Sequence, residues 1–562
     1  MKTKPSTATL TTPAAAKPAK PATAADNAAN GNPRSPGVSP KPFTCWRHDE
    51  PMLAPKEFSY AADDWATAAT EICQRLSLVR EDEDERSLSY LDTFDWRIYR
   101  AGFMLARIDE LLELSDRATG ALVMRADASS ASASDGALPK RLADRLSGVL
   151  GVRALTAVAA VNSHTVVFGA RNDDTKTVAR LVLSNSTVDQ GEKQTALRFR
   201  LSIAPLRGYD RDATRLSEEL AAVSGVEPMA SSLFEEAVDA TGRTPGDYFS
   251  KLSLSLSREV PAYDAARLIY RTLLDAMQAN LDGILADHDT EFLHDFRVAV
   301  RRTRSALKEL PGVLPVELEG HFRDEFSWLG AVTTPARDLD VYLLEFPALS
   351  ELAGDAANDL GPLHRLIRSE KRRAHARVRT ALRSARYRRL QEAWSHAIAA
   401  TSPSAGEGPA GSNPVGVLAD SRIRKVARRV LRDGTRINDD SPAESLHDLR
   451  KRSKELRYLL EFFSSLYDPK PHGSVLVELK ALQTTLGRFQ DTQVQRHALE
   501  DFAERLLSVG DTPASALLAI GRLVAVLEDQ QHHARAEFTD RFARFASARN
   551  RRRLAALTGE AT

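Results

Sequence analysis

The chain has 562 residues, with 77 Lys+Arg against 76 Asp+Glu, 43% hydrophobic side chains and two cysteines. That length suits two to four domains, and the apolar fraction is enough for folded cores, which excludes wholesale disorder. Cys45 and Cys73 cannot build a disulfide framework or a Cys-rich metal site, no apolar run of about 18 residues exists to span a membrane, and no apolar signal core opens the sequence.

A cytoplasmic location is therefore expected. The net charge of +1 hides an asymmetry. Residues 1–250 hold 30 basic and 34 acidic side chains, whereas 251–562 hold 47 and 42. Within the second part, residues 361–436 hold 18 basic and 5 acidic, mostly Arg on the basic side. Such a local excess points to an anionic partner.

Residues 1–42 carry eight prolines and almost no large apolar side chain, so they are expected to be disordered. Their basic, acid-poor composition also fits a transit peptide, but the prolines argue against the amphipathic helix this would need. Residues 43–230 read as mixed α and β. A helix is expected over 64–78, then a solvated acidic loop at 81–85. Strands are expected at 87–91, 155–160, 165–170, 178–183 and 197–203, and a helix at 212–223. This pattern suggests an antiparallel sheet or barrel. Residues 231–254 read as a linker. From 255 to 556 helical periodicity dominates, interrupted by a Ser/Gly/Pro-rich stretch at 401–418.

The helical part repeats itself. Leu293-His294-Asp295-Phe296-Arg297 matches Leu446-His447-Asp448-Leu449-Arg450, and Arg337-Asp338 to Val341 matches Gln490-Asp491 to Val494. Both pairs stand 153 residues apart, so repeat one is placed at 255–400 and repeat two at 419–556. Counting from each His, basic residues stand at +3, +7 and +10: Arg297, Arg301, Arg304 and Arg450, Lys454, Arg457. That spacing puts each set on one helix face with its His. An apolar stripe lies one position earlier, about 100° away, so the basic row flanks the buried row. An ordinary solvated face mixes charge signs. Here five basic residues and one acid lie between His294 and Lys308, and a polyanion would relieve their repulsion.

These residues resemble the signature of the CHAD domain, the conserved-histidine α-helical domain. The resemblance covers about 300 residues, with its motifs at 293–307, 447–459, 482–487 and 490–494. It implies a duplicated four-helix bundle with a basic central channel and surface. It also implies binding of inorganic polyphosphate without catalysis, and polyphosphate or other storage granules as a location. Arg suits such a ligand, since its fork matches phosphate oxygens and its charge is permanent. The expected polyphosphate contacts are His294, Arg297, Arg301, Arg302, Arg304, Lys308, Arg337, Arg372, Arg373, Arg379, Arg383, Arg428, His447, Arg450, Lys451, Lys454 and Arg457. Asp338 and Asp491 are expected to pair with motif arginines. One His per copy is a poor metal set, so no metal ligand and no cofactor are expected.

Residues 90–107, with Arg97, Arg100 and Arg107, resemble a segment of the CYTH domain, the triphosphate tunnel fold. The expected fold is thus a degenerate CYTH-like α+β barrel followed by an all-α duplicated bundle. CYTH enzymes open with Glu-x-Glu-x-Lys, whose carboxylates help hold a divalent metal. Here residues 55–60 offer only Glu57, and Arg198 and Arg200 stand where further carboxylates belong. Arginine cannot coordinate Mg²⁺, so this domain is expected to be catalytically inactive. Two alternatives stand beside this reading. One is a Mg²⁺- or Mn²⁺-dependent triphosphatase or polyphosphatase acting through 43–230. The other is a nucleic-acid-binding basic helical protein, for which interleaved aromatics are scarce.

Overall fold

In the computed structural model, residues 56–60, 65–128, 138–191, 193–248, 252, 254–399 and 408–559 are described. The expected disorder of 1–42 lies outside them, as do residues 401–407 of the 401–418 stretch, whose last four residues begin a helix. An antiparallel sheet comes first and a helical region follows. Ten strands run β1 (Lys56–Tyr60), β2 (Val79–Thr93), β3 (Phe103–Ile108), β4 (Leu111–Asp116), β5 (Leu122–Asp127), β6 (Leu155–Arg171), β7 (Thr177–Asp189), β8 (Gln194–Ala196), β9 (Arg200–Pro205) and β10 (Val226–Pro228). Their order is β10-β1-β9-β7-β6-β2-β3-β4-β5, with β8 beside β7.

The expected barrel is not closed: β10 and β5 are edges of an open sheet. Side-chain alternation explains why. β6 sends Val166 and Phe168 to one face, where helices α1 (Trp65–Arg75) and α4 (Asp210–Ala221) bury Ile72, Leu216 and Leu220. It sends Ala159 and Val161 to the other face, where α5 (Leu233–Ala240) buries Phe234, Ala237 and Val238. A sheet covered by helices on both faces satisfies its apolar residues without curling around a lumen. Two short helices, α2 (Arg97–Arg100) and α3 (Lys140–Leu150), pack their Ile98, Leu142 and Leu146 with β3 and β4.

Three further expectations change. The acidic stretch 81–85 is not a loop but the start of β2, paired along β6. Its charges are met across the sheet: Arg180 donates to Glu81 at 2.7 Å and His164 bonds Glu83 at 2.8 Å. Arg180 reaches Glu81 from β7, over Gly169 of the intervening β6, whose missing side chain leaves room for the pair. The strand expected at 197–203 begins only at Arg200, as β9, and residues 197–199 form an irregular link from β8. The 231–254 linker contains α5, nucleated by a capping box in which Ser232 and Glu235 bond reciprocally.

The helical region makes the duplication geometric. Repeat one has α6 (Ala262–Ala286), α7 (Thr290–Glu309), α8 (Val316–Ala353), α9 (Gly361–Leu382) and α10 (Ala385–Ala399). Repeat two has α11 (Val415–Thr435), α12 (Ala443–Phe462), α13 (Pro469–Val509), α14 (Ala514–Phe545) and α15 (Ala548–Leu557). The first four helices of each repeat start 153 residues apart: 262 and 415, 290 and 443, 316 and 469, 361 and 514. One continuous core joins both repeats, and Phe94 of the sheet domain packs against it. Pro261 and Pro414, themselves 153 apart, form a β-bridge with one another. Equivalent residues can touch only near the axis that relates them, so this bridge marks a pseudo-twofold axis.

Close packing is tight where α6 crosses α7. A Cβ on Gly283 would overlap the Phe292 ring. Gly283→Ala is expected to destabilise the protein by about 1–3 kcal/mol through overpacking, measured as a lower urea midpoint with an unchanged m-value.

Candidate anion-binding junction

Helix α7 presents the first basic row. Asp289 caps it, accepting from the Glu291 and Phe292 N–H groups at 2.8 and 3.3 Å. Leu293, Phe296, Val300 and Leu307 are buried, which fixes the rotation of the helix and leaves the row at the edge of the core. Helix α12 repeats this with Leu446, Leu449, Leu456 and Leu460.

The two helices meet face to face. Arg302 bonds Glu461 at 3.0 Å, and Lys308 pairs with Glu455. Position 302 is equivalent to 455, and 308 to 461, so these two ion pairs are one contact seen from both sides of the axis. Repeat one supplies both cations and repeat two both anions. Arg302 and Lys308, expected as ligand contacts, are thus engaged in holding the repeats together. The charge reversal at the 153 offset was a readable signal for this pairing.

Between those pairs the cations converge with few acids. Arg301 and Lys454 occupy equivalent positions, and neither makes an ion pair or hydrogen bond among the described residues. They are close enough that Arg301 disfavours the charge on Lys454. Burial, with Arg450, Arg301 and Arg457, pushes the Lys454 ammonium down to about 8, while Asp491 pulls the other way. Arg297 is half-buried, and one nitrogen of its fork donates to Gly330 O, Thr333 Oγ1 and Thr334 Oγ1 at 3.1, 2.9 and 3.0 Å. Burial opposes its charge, Asp338 supports it, and Arg301, Arg337 and Arg304 oppose it, leaving it at about 10 and ionised at neutral pH. Arg304 reaches only Ser327, at 3.5 Å. His294 is pushed down to about 4 by burial and then by Arg337, Arg301, Arg297 and Arg153, so its ring is neutral.

The second half-site differs. His447 Nδ1 donates to Gln490 Oε1 at 2.6 Å, and Arg450 pairs with Asp491 at 2.9 Å. The position of Gln490 corresponds to Arg337 in repeat one. Arg337 instead donates to Thr290 O at 3.1 Å and lies 3.7 Å from Glu291. Asp338 neighbours Arg297 and Arg337 without a bond, so the expected Asp–Arg pairing is direct in repeat two only. Arg457 sits 3.7 Å from Glu461 and over the Tyr458 ring.

The remaining expected contacts stand apart. Arg372 and Arg383 are exposed on α9 or its end, Arg373 pairs with Glu370, and Arg379 lies 3.8 Å from Asp287. Arg428 is exposed on α11. Lys451 pairs with Asp448 at 2.8 Å.

In the sheet domain, Glu57 of β1, Arg200 of β9 and Arg198 of the link between β8 and β9 gather on the face that α5 covers. Arg200 is 3% exposed and bonds both Glu57 and Glu236, the latter at 2.6 Å. Arg198 also pairs with Glu236. Arg97 bonds Asp95 and Leu150 O, and Arg100 bonds Tyr248 O at 2.6 Å. Arg107 is exposed. Among the described residues, no three His, Cys, Asp or Glu converge as a metal site, and no helix is long and apolar enough to cross a membrane.

The CHAD domain family model matches residues 268–500, from within α6 to within α13. Residues 268–500 form a CHAD domain. The match ties this region to polyphosphate-related function. Two uncharacterized proteins of Mycobacterium tuberculosis, one from each of two strains, are 27% identical over 392 residues, covering 66% of this chain and 72% of theirs. Among solved structures, the CHAD domain of the plant Ricinus communis is 28% identical, covering 55% of this chain and 96% of its own, with a TM-score of 0.42. HpAC1 from Hippeastrum, described as having a dominant triphosphatase activity, is 14% identical, covering 35% of this chain and 100% of its own, with a TM-score of 0.25.

Lys454 titrates below its ordinary value in the CHAD fold, so the unfolded chain binds more protons between pH 8 and 10.5 and stability rises across that window. Lys454→Met is expected to raise stability by on the order of 1–3 kcal/mol at pH 7. The difference should close as pH approaches 10, which urea melts at the two pH values would measure.

Proposed function

We propose that the CHAD domain binds inorganic polyphosphate at the junction of its two repeats, and that the protein acts as a binding protein and not as an enzyme. One observation carries this reading: Arg301 and Lys454 stand at equivalent positions, close enough for Arg301 to disfavour the Lys454 charge, and neither makes an ion pair or hydrogen bond among the described residues. Lys454 is half-buried and Arg301 exposed beside it; a half-buried cation without a counter-ion is costly, and a bound anion would offset that cost. Polyphosphate carries roughly one charge per phosphate along a flexible chain and has no base edges to read, so recognition falls to charge spacing and forked donors. Neutral His294 keeps one N–H donor, which suits a hydrogen bond to phosphate.

The inactive role proposed for the sheet domain rests on Arg200. Glu57, the sole carboxylate left from the metal-binding pattern, is taken up in an ion pair with it. Glu236 takes up its other side. A carboxylate neutralised by a buried guanidinium is a poor ligand for a divalent cation.

Long-chain polyphosphate should bind the full chain tightly at about 0.1 M salt and more weakly as salt rises, and should displace duplex DNA. Replacing Arg297, Arg301, Arg450 and Lys454 together by Ala should weaken binding by about 100-fold or more. A filter-binding or anisotropy titration decides it. Equal affinity for DNA, or no loss in the variant, would reduce the junction to a generic basic surface.

A further inference from the structure

The sheet domain enters the helical region through one side chain. Arg153, between α3 and β6, is 4% exposed. Its guanidinium lies 2.7 Å from Asp295, 3.2 Å from Asp289 and 3.6 Å from Asp95. The ring of Phe292 lies 4.8 Å beneath it. The next residue, Ala154, donates its N–H to Asp289 at 3.0 Å. Asp295 also accepts from Tyr248 Oη at 3.1 Å, and Asn280 of α6 donates to the same hydroxyl at 2.7 Å. Three of these partners, Asp289, Phe292 and Asp295, are the cap and first turns of α7. That is the segment that carries His294 and Arg297.

The grip is one-sided. The position equivalent to Asp289 in repeat two is Pro442, which has no carboxylate to offer. The position equivalent to Asp295 is Asp448, which is paired with Lys451 of its own helix. In repeat two the approach to α12 is held from within the helical region instead, by Arg535 of α14, which donates to the carbonyls of Asn438, Asp439 and Ser441. The two half-sites therefore share a motif but not a support.

We propose that Arg153 is a positioning residue for anion binding, through which the sheet domain fixes the first turns of α7 and so sets His294 and Arg297 for phosphate in the first half-site alone. This rests on the polyphosphate reading above. It gives the sheet domain a task that needs no metal and no tunnel. A fork that engages three carboxylates at once can orient a helix, whereas a lysine in its place would keep the charge and lose the span. The carboxylates Asp95, Asp289 and Asp295 leave the cluster net negative, which keeps Arg153 itself out of reach of a polyanion.

The test uses the full chain, long-chain polyphosphate and a double-mutant cycle. Arg153→Lys keeps the buried charge and should remain folded by thermal melting, and Arg153→Met is its companion. Arg153→Lys should weaken binding by about tenfold. In that background Arg297→Ala should cost much less than in the wild type, while Arg450→Ala should cost the same in both. A simple loss of stability would lower both half-sites alike. Unchanged affinity in folded Arg153→Lys, or full costs for both alanine substitutions, would overturn this inference and leave the polyphosphate reading standing. Failure of the wild type to bind polyphosphate would overturn both.

Discussion

Like charges brought together across a pseudo-twofold axis are the constraint on which the helical region turns. Duplication places the same basic row on two helices, and the axis turns those rows toward each other. The repulsion that results has to be balanced. Part of the balance is built in: Arg302 with Glu461 and Lys308 with Glu455 clamp α7 against α12 from both sides. Part is left open, at Arg301 and Lys454. A sequence that diverged after duplication could reverse charge at 455 and 461, where the contact is structural. It kept a cation at 454, which faces the same charge as its own equivalent.

Much of this was legible in the sequence. The 153-residue offset, found from two short motifs, extends to the first residues of four pairs of helices. The basic rows could be placed on helix faces because helical geometry is local and the spacing +3, +7, +10 leaves little freedom. The buried partners of those rows were not legible. Whether Lys308 meets phosphate or Glu455 depends on which helix lies opposite, and that is tertiary information. The same holds for the acidic stretch 81–85, which looks like a solvated loop until Arg180 and His164 are found beside it. The open sheet shows the limit of analogy: the strands are antiparallel as expected, but α5, inside a segment that resembled a linker, covers the face a tunnel would need.

Arg153 was missed altogether, because a lone Arg between a helix and a strand gives no pattern. Its significance comes from three aspartates separated in sequence, Asp95, Asp289 and Asp295, that fold around it. A buried guanidinium with several carboxylates is less a source of net stability than a device that fixes geometry, since each charge must first lose its water. Here what it fixes is the helix that carries the first half of the proposed site. Through it the sheet domain is bonded directly to the start of α7 in the CHAD domain.

The central claim is that the unpaired cations at the axis are where the polyanion sits. It is tested most directly by counting protons. Calorimetric titration with long-chain polyphosphate at pH 8, in buffers of different ionisation enthalpy, gives the number taken up on binding. A phosphate beside Lys454 would restore its ordinary basicity, so the account predicts net proton uptake that disappears in Lys454→Met. Tight binding with no proton exchange in the wild type would place the polymer elsewhere and contradict it.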